Sequence, residues 1–260
     1  MTISVAGEPL AAFLLASVRI VAWLAVVPPF ASRGVPAMAK VSLSLGLAFA
    51  VAPSLASSRI PLDTLGMLTV VATQVLVGLA MGFVTSLLFS AMAAAGALID
   101  VFGGFSLAQG FDPLGMNAST VFGTFHQMVA TVLLFVSGGY LVVIGGLLKT
   151  FEILPVGTTP RIKGAPDVLL TAFHMFFLTA VQIALPMVAV LFIADLGLAL
   201  MTKVAPQLNA LNVMFPAKIG LTLLLVGLSF PVLPGVMEHL VDLALEATGA
   251  LARVGAGAGS

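Results

Sequence analysis

Thr64–Ile99 reads TLGMLTVVATQVLVGLAMGFVTSLLFSAMAAAGALI, 36 residues between Asp63 and Asp100 without an Asp, Glu, Lys or Arg. A helix crosses the hydrocarbon core of a bilayer with about 20 apolar residues. As one helix this run would extend about 54 Å, against a core of about 30 Å. It is therefore expected either to break or to stand partly outside lipid against other protein.

The same pattern recurs on both sides of it. Asp112 to Lys149 encloses another 36 uncharged residues, with His126 among them. Asp167 to Asp195 encloses 27, Lys218 to Glu238 encloses 19 and Lys40 to Arg59 encloses 18. Leu10–Phe30 is a further apolar segment, with Arg19 inside it. The chain of 260 residues is 60% hydrophobic and 8% charged, with no cysteine and no net charge, and its mean hydropathy is +1.21. Soluble domains carry about 25% charged residues, a surface this chain cannot supply. The expectation is an all-α integral membrane protein of about six long, partly broken apolar helices. It is expected as one domain, residues 1–260, since no linker is long or polar enough to separate two folded units. The small-residue tail Gly255–Ser260 is expected to fray.

Several function classes are disfavoured at this stage. Zero net charge gives no case for nucleic-acid binding. Met1–Leu10 carries Glu8 and no Lys or Arg, whereas a cleaved signal peptide begins with positive charge. The first apolar segment is thus expected to remain in the mature protein. No HExxH, G-x-S-x-G, P-loop or GxGxxG pattern occurs, and the lone histidines lack metal-site spacing. No catalytic residue, metal or cofactor is expected. Lys and Arg on alternate loops of six simple spans divide four against five, too even to orient the chain.

Four features carry more information. Gly78 and Gly82 form a GxxxG pair continued by Ala91, Ala95 and Gly96. Such residues admit close helix contact, within the chain or against a partner. Pro186 lies well inside an apolar run and predicts a kink. Gly103–Asn117, GGFSLAQGFDPLGMN, is glycine-rich and has a turn-forming Asp112-Pro113, yet carries Phe105, Leu107, Phe111 and Met116. An irregular apolar segment at membrane depth is tolerated only inside protein or lining a cavity. It is either a buried helix connection or a constriction whose apolar side chains block a pore by dewetting. Arg19, Asp100, His126, His174 and Asp195 lie within or beside apolar runs, where a charge normally needs a partner.

Four stretches together resemble the FliR family of flagellar type III export proteins. Arg19–Leu55 carries Arg19, Pro28, the Arg33…Val35-Pro36…Lys40 group and Pro53. Ala95–Pro113 is similar to the family's glycine-rich Asp-Pro loop, and Leu154–Gly157 to its LPxG element. Lys203–Leu225 contains the most specific pattern, APQLN…FPxK, with Ala205–Asn209, Phe215, Pro216 and Lys218. The resemblance implies a fold like a fusion of FliP and FliQ. It implies a structural subunit of the export gate in the bacterial inner membrane, within the flagellar basal body. The implied partners are FliP-like and FliQ-like subunits, an FlhB-like subunit, an FlhA-like ring, membrane lipid and unfolded export substrates in transit. It implies that Gly103, Gly104, Phe105, Ser106, Leu107, Ala108, Gln109, Gly110, Phe111, Asp112, Pro113 and Met116 form a pore plug. Where the family often has an aromatic two places before Asp-Pro, this chain has Gly110, with Phe111 beside it. Arg19, Arg33, Lys40, Asp195, Lys203, Gln207, Asn209 and Lys218 are the expected subunit-packing or structural positions.

Three rival readings remain at the level of sequence. One is the homologous gate subunit of a virulence injectisome. A small-solute secondary transporter would need an internal repeat and convergent midplane charges, and neither is evident. A membrane hydrolase would need a nucleophile paired with His126 or His174.

Overall fold

A computed structural model describes residues 7–32, 34–55, 60–61, 63–106, 120–204 and 210–257. Among these residues the secondary structure is helical throughout, with no strand. The helices are α1 (Gly7–Leu24), α2 (Ala37–Val51), α3 (Thr64–Gly103), α4 (Val121–Val136), α5 (Gly139–Ile153), α6 (Ala165–Val204), α7 (Ala210–Ser229) and α8 (Leu233–Ala256). Short 3-10 turns at Ala52–Leu55 and Phe230–Val232 follow α2 and α7.

Among the described residues, each of the six apolar segments of the sequence contains helix. Thr64–Gly103, Ala165–Met201 and Phe215–Ala256, at 40, 37 and 42 residues, are long and apolar enough to cross a membrane. The pair α4 and α5 makes a fourth when taken as one bent span. The remaining two segments are the shorter apolar helices α1 and α2, of 18 and 15 residues. The chain is an all-α membrane protein. The long run of α3 does not break, and the helical backbone of α6 continues through Pro186. Gly138, at φ 72°, separates α4 from α5. That left-handed conformation carries a steric cost for residues with a Cβ.

The fold divides into two compact units, one of Met1–Leu88, Gly138–His174 and Leu240–Ser260, the other of Phe89–Ser137 and Met175–His239. In the first unit, α1 packs on α3 through backbone rather than through long side chains. A Cβ built on Gly78 would meet the Arg19 carbonyl group and lie 2.9 Å from Ala22 Cβ. One on Gly82 would lie 3.1 Å from the Trp23 carbonyl oxygen. The GxxxG pair thus serves packing within the chain. Trp23, Ile20, Leu24, Met81, Leu88, Leu147 and Phe151 fill the surrounding core.

Arg19 is fully buried in that core. Its Nε donates to Gln74 Oε1 at 2.7 Å and its Nη2 to the Leu154 carbonyl at 2.9 Å. Its guanidinium carbon lies 4.3 Å from the centre of the Phe151 ring. Neutral dipoles and an aromatic face therefore supply the partners that sequence reasoning sought in an opposite charge. The contact also fastens the LPxG element at its first residue. In the tail, the Gly255 carbonyl accepts from Arg161 N–H at 2.9 Å, while residues 258–260 lie outside the described residues.

Large apolar side chains are exposed in quantity, among them Phe49 at 75%, Val136 at 80% and Phe177 at 61%. A surface of this kind needs lipid or neighbouring protein to cover it.

The packing at Gly78 sets an expectation. Gly78→Val drives two methyls into the backbone of α1, an overpacking cost of about 1–3 kcal/mol. Gly145→Ala, whose Cβ has no atom within 4 Å, gains up to about 1 kcal/mol in helix propensity. Thermal unfolding in detergent should show a lower Tm for the first and an equal or higher Tm for the second. Equal Tm values for Gly78→Val and the parent would contradict backbone contact at this position.

Candidate functional site

The glycine-rich segment lies in the second unit, between α3 and α4. Its flanks are described; Leu107, Ala108, Gln109, Gly110, Phe111, Asp112, Pro113 and Met116 lie outside the described residues, as do Arg33, Gln207 and Asn209. At the first flank, Gly103 ends α3, Gly104 adopts φ 84°, and Phe105 and Ser106 are helical. At the second, Thr120 precedes α4 and offers no side-chain cap to it.

Asp100 supplies that cap from across the segment. Its carboxylate is fully buried. Phe122 N–H donates to Oδ1 and Oδ2 at 3.1 and 2.9 Å, and Gly123 N–H to Oδ2 at 3.4 Å. The first turn of a helix has backbone donors with no partner inside the helix, and its positive dipole end favours an anion. A lone buried carboxylate would be costly; here the helix terminus and the carboxylate satisfy each other. The two flanks are thereby joined by charge-assisted hydrogen bonds.

Glycine makes the approach possible. A Cβ on Gly96 would collide with the backbone of Phe122 and Gly123. Around this contact Ala95, Ile99, Phe122, Ala184, Met187 and Val226 form a buried apolar cluster, with Phe105 and Phe125 packed against it. The Phe105 ring meets the Phe122 ring edge-on at 4.9 Å. His126 Nδ1 lies 2.8 Å from the Phe122 carbonyl oxygen; that oxygen can only accept, so Nδ1 is the donor.

The remaining sequence-singled positions fall apart from this base. Asp195 on α6 and Lys218 on α7 form an ion pair, Nζ to Oδ1 at 2.8 Å. Arg19 and Asp195 thus each have partners of their own. Lys203 is exposed at the end of α6 and Lys40 is half-buried on α2. His174 is exposed. Among the described residues no three His, Cys, Asp or Glu side chains gather in a metal-holding group. Sequence reasoning marked Asp100 as a buried charge but did not place it at the site, and it passed over Thr222, which packs against Gly103. The available signal was an acid that closes a 36-residue apolar run three residues before Gly103-Gly104.

The family described as bacterial export proteins, family 1, matches residues 10–244, nearly the whole chain. The chain belongs to this family. It is similar to the flagellar biosynthetic protein FliR of Escherichia coli K12, 31% identical over 85% of each chain. It is similar to FliR of Aquifex aeolicus, 31% identical over 89% of this chain and 90% of that one. It also resembles the surface presentation of antigens protein SpaR of Salmonella typhimurium, 28% identical over 85% of this chain and 83% of that one. The recognition made from the four motifs therefore holds over the chain at large.

Replacing Asp100 tests the cap. Asp100→Ala strands the Phe122 and Gly123 amides in a buried site, at about 1–3 kcal/mol. Asp100→Asn keeps one acceptor and should cost less. Hydrogen exchange should report faster exchange at Phe122 and Gly123 in the alanine variant, with Leu88 and Met81 unchanged. Unaltered protection at Phe122 would show that the carboxylate does not hold α4.

Proposed function

We propose that the chain is a structural pore subunit of the flagellar type III export gate in the bacterial inner membrane. In this reading it assembles with FliP-like and FliQ-like subunits, meets FlhB-like and FlhA-like components, and passes unfolded substrates. The whole chain, residues 1–260, acts as one membrane-embedded export-gate domain, and residues 103–117 plug the closed channel. The reading gives the protein no catalytic step.

The observation that carries the plug reading is the fastening of both flanks of the segment. Thirteen residues, 107–119, connect two flanks that contacts of Asp100, Gly96 and Phe105 hold together. A connection between helices so joined could be far shorter, since most such connections run to about 2–8 residues. The excess chain is apolar, with Leu107, Phe111 and Met116. Apolar bulk on a loop suits a dewetting barrier. Phe105 seats the segment, and Leu107 and Phe111 supply the obstructing bulk. The exposed apolar faces support assembly, because a chain that works alone in lipid has less need of two helices too short to cross it.

The likeness to SpaR supports a second member of the same class, the gate subunit of an injectisome. The two differ in what accompanies the chain. Mild-detergent purification of the tagged chain from its host, read by mass spectrometry, should recover FliP-like and FliQ-like subunits in one stable complex. Injectisome counterparts in their place would favour the second reading. Recovery of the chain alone would overturn both and favour a solute transporter. In the recovered complex, Leu107→Gly with Phe111→Gly should raise closed-state ion conductance several-fold in planar bilayers; unchanged conductance would sink the plug.

A further inference from the structure

One face of α6 and the turns where α7 passes into α8 enclose a cleft of about 600 Å³ in the second unit. That lies within the range of about 300–1,000 Å³ usual for small-molecule sites. On α6, Thr179, Gln182, Ile183, Met187 and Val190 line it at helical spacing. Opposite them it runs from Leu225 of α7 to His239 of α8. The two walls are antiparallel. Asp195 meets Lys218, and eight residues back along α6 Met187 shares an apolar cluster with Val226, eight residues on along α7. Thr179 and Gln182 therefore lie at the His239 end of the cleft, and Val190 at the Leu225 end.

The two ends differ in chemistry. Ile183, Met187, Val190, Leu225 and Leu228 make the body apolar, and no described Asp, Glu, Lys or Arg lines it. The polar groups of Thr179, Gln182 and His239 sit at the other end. Ser229, also on the wall, is committed: its hydroxyl donates to the Val226 carbonyl at 2.7 Å. Among the described residues the side chains of Thr179, Gln182 and His239 have no hydrogen-bond partner, although Thr179 is only 4% exposed. A hydroxyl, an amide and an imidazole each carry a donor, and a buried donor left unpaired is costly. One end thus suits hydrocarbon and the other suits acceptor oxygens.

Length and setting identify the occupant. From Thr179 to Val190 is eleven residues of helix, about 16 Å. That is about half of a hydrocarbon core of about 30 Å, the depth of one leaflet. At the mouth Leu228 and Val232 are 68% and 65% exposed, so a chain from the bilayer enters without crossing water. We propose that the cleft holds one acyl chain of a membrane phospholipid, with ester and phosphate oxygens of the same lipid accepting from Thr179, Gln182 and His239. Gly235 leaves one wall open, since a Cβ there would meet no heavy atom within 4 Å. The site needs only a bilayer around the chain and stands whether or not residues 107–119 plug a channel.

The test uses the full chain in vesicles of phosphatidylethanolamine and phosphatidylglycerol. The probe is phosphatidylglycerol with a diazirine at the tip of one acyl chain, and its adducts are located by peptide mass spectrometry after irradiation. Labelling at Leu225 and Val190 should saturate as the probe's share of the lipid rises, while labelling at Phe177, 61% exposed, should rise in proportion. Gly235→Phe should lower labelling at Leu225 several-fold and leave Phe177 unchanged. Thr179→Val with Gln182→Leu should raise the probe share at half-saturation several-fold; no change there would overturn the placing of the headgroup. Labelling of Leu225 in the parent chain that rises in proportion, as at a freely exchanging lipid contact, would overturn the proposal without any variant. Equal labelling of Leu225 in the parent and Gly235→Phe would overturn it too. In the co-purified complex, loss of label at Leu225 with retention at Phe177 would assign the cleft to a neighbouring subunit and likewise overturn it.

Discussion

Close approach of helix backbones is the contact on which the rest of this structure depends. Between helices in lipid the hydrophobic effect is weak, so helices hold one another by packing and by hydrogen bonds. Helix α3 contributes residues to both units, and in each it meets a neighbour where a side chain would not fit. Gly78 and Gly82 admit the backbone of α1 near Arg19 and Trp23, and Gly96 admits that of α4 at Phe122. Only at such separation can a carboxylate as short as that of Asp100 reach the first amides of α4. The polar contacts follow from the apolar ones.

The same constraint governs the few charges. Arg19 is held by an amide oxygen, a carbonyl and a ring, Asp100 by backbone amides, and Asp195 by Lys218. The Arg19 contacts join elements far apart in the sequence, and the other two join consecutive helices. The Arg19 contacts span 55 and 135 residues, the Asp100 contact 22, and the ion pair 23.

What could be read from the sequence follows that division. Helix type and approximate extent were legible because charge gaps of 18 to 36 residues leave few alternatives. The small-residue stripe was legible as packing, but its partner was not: Gly78 does not say that it faces Arg19. The shortness of α2 was hidden, since the gap from Lys40 to Arg59 does not show where the helix gives way to the 3-10 turn at Ala52. Pro186 marked a place where one helical hydrogen bond is lost, and the helix absorbs that loss without ending. The glycine-rich segment drew notice for its apolar content. The devices that fasten its base, Asp100 across to Phe122 and Thr222 beneath Gly103, are tertiary and left no local pattern. Membership of the export family rests on order and spacing over most of the chain, which is why modest motifs sufficed.

The central claim is that residues 107–119 lie on the path of exported protein. A photo-crosslinking amino acid placed at Leu107 or Phe111, in an assembled complex holding a substrate arrested in transit, tests it directly. The account predicts substrate adducts from both positions and none from Met38, a surface position on α2. Adducts to lipid alone, with an arrested substrate present in the complex, would contradict it.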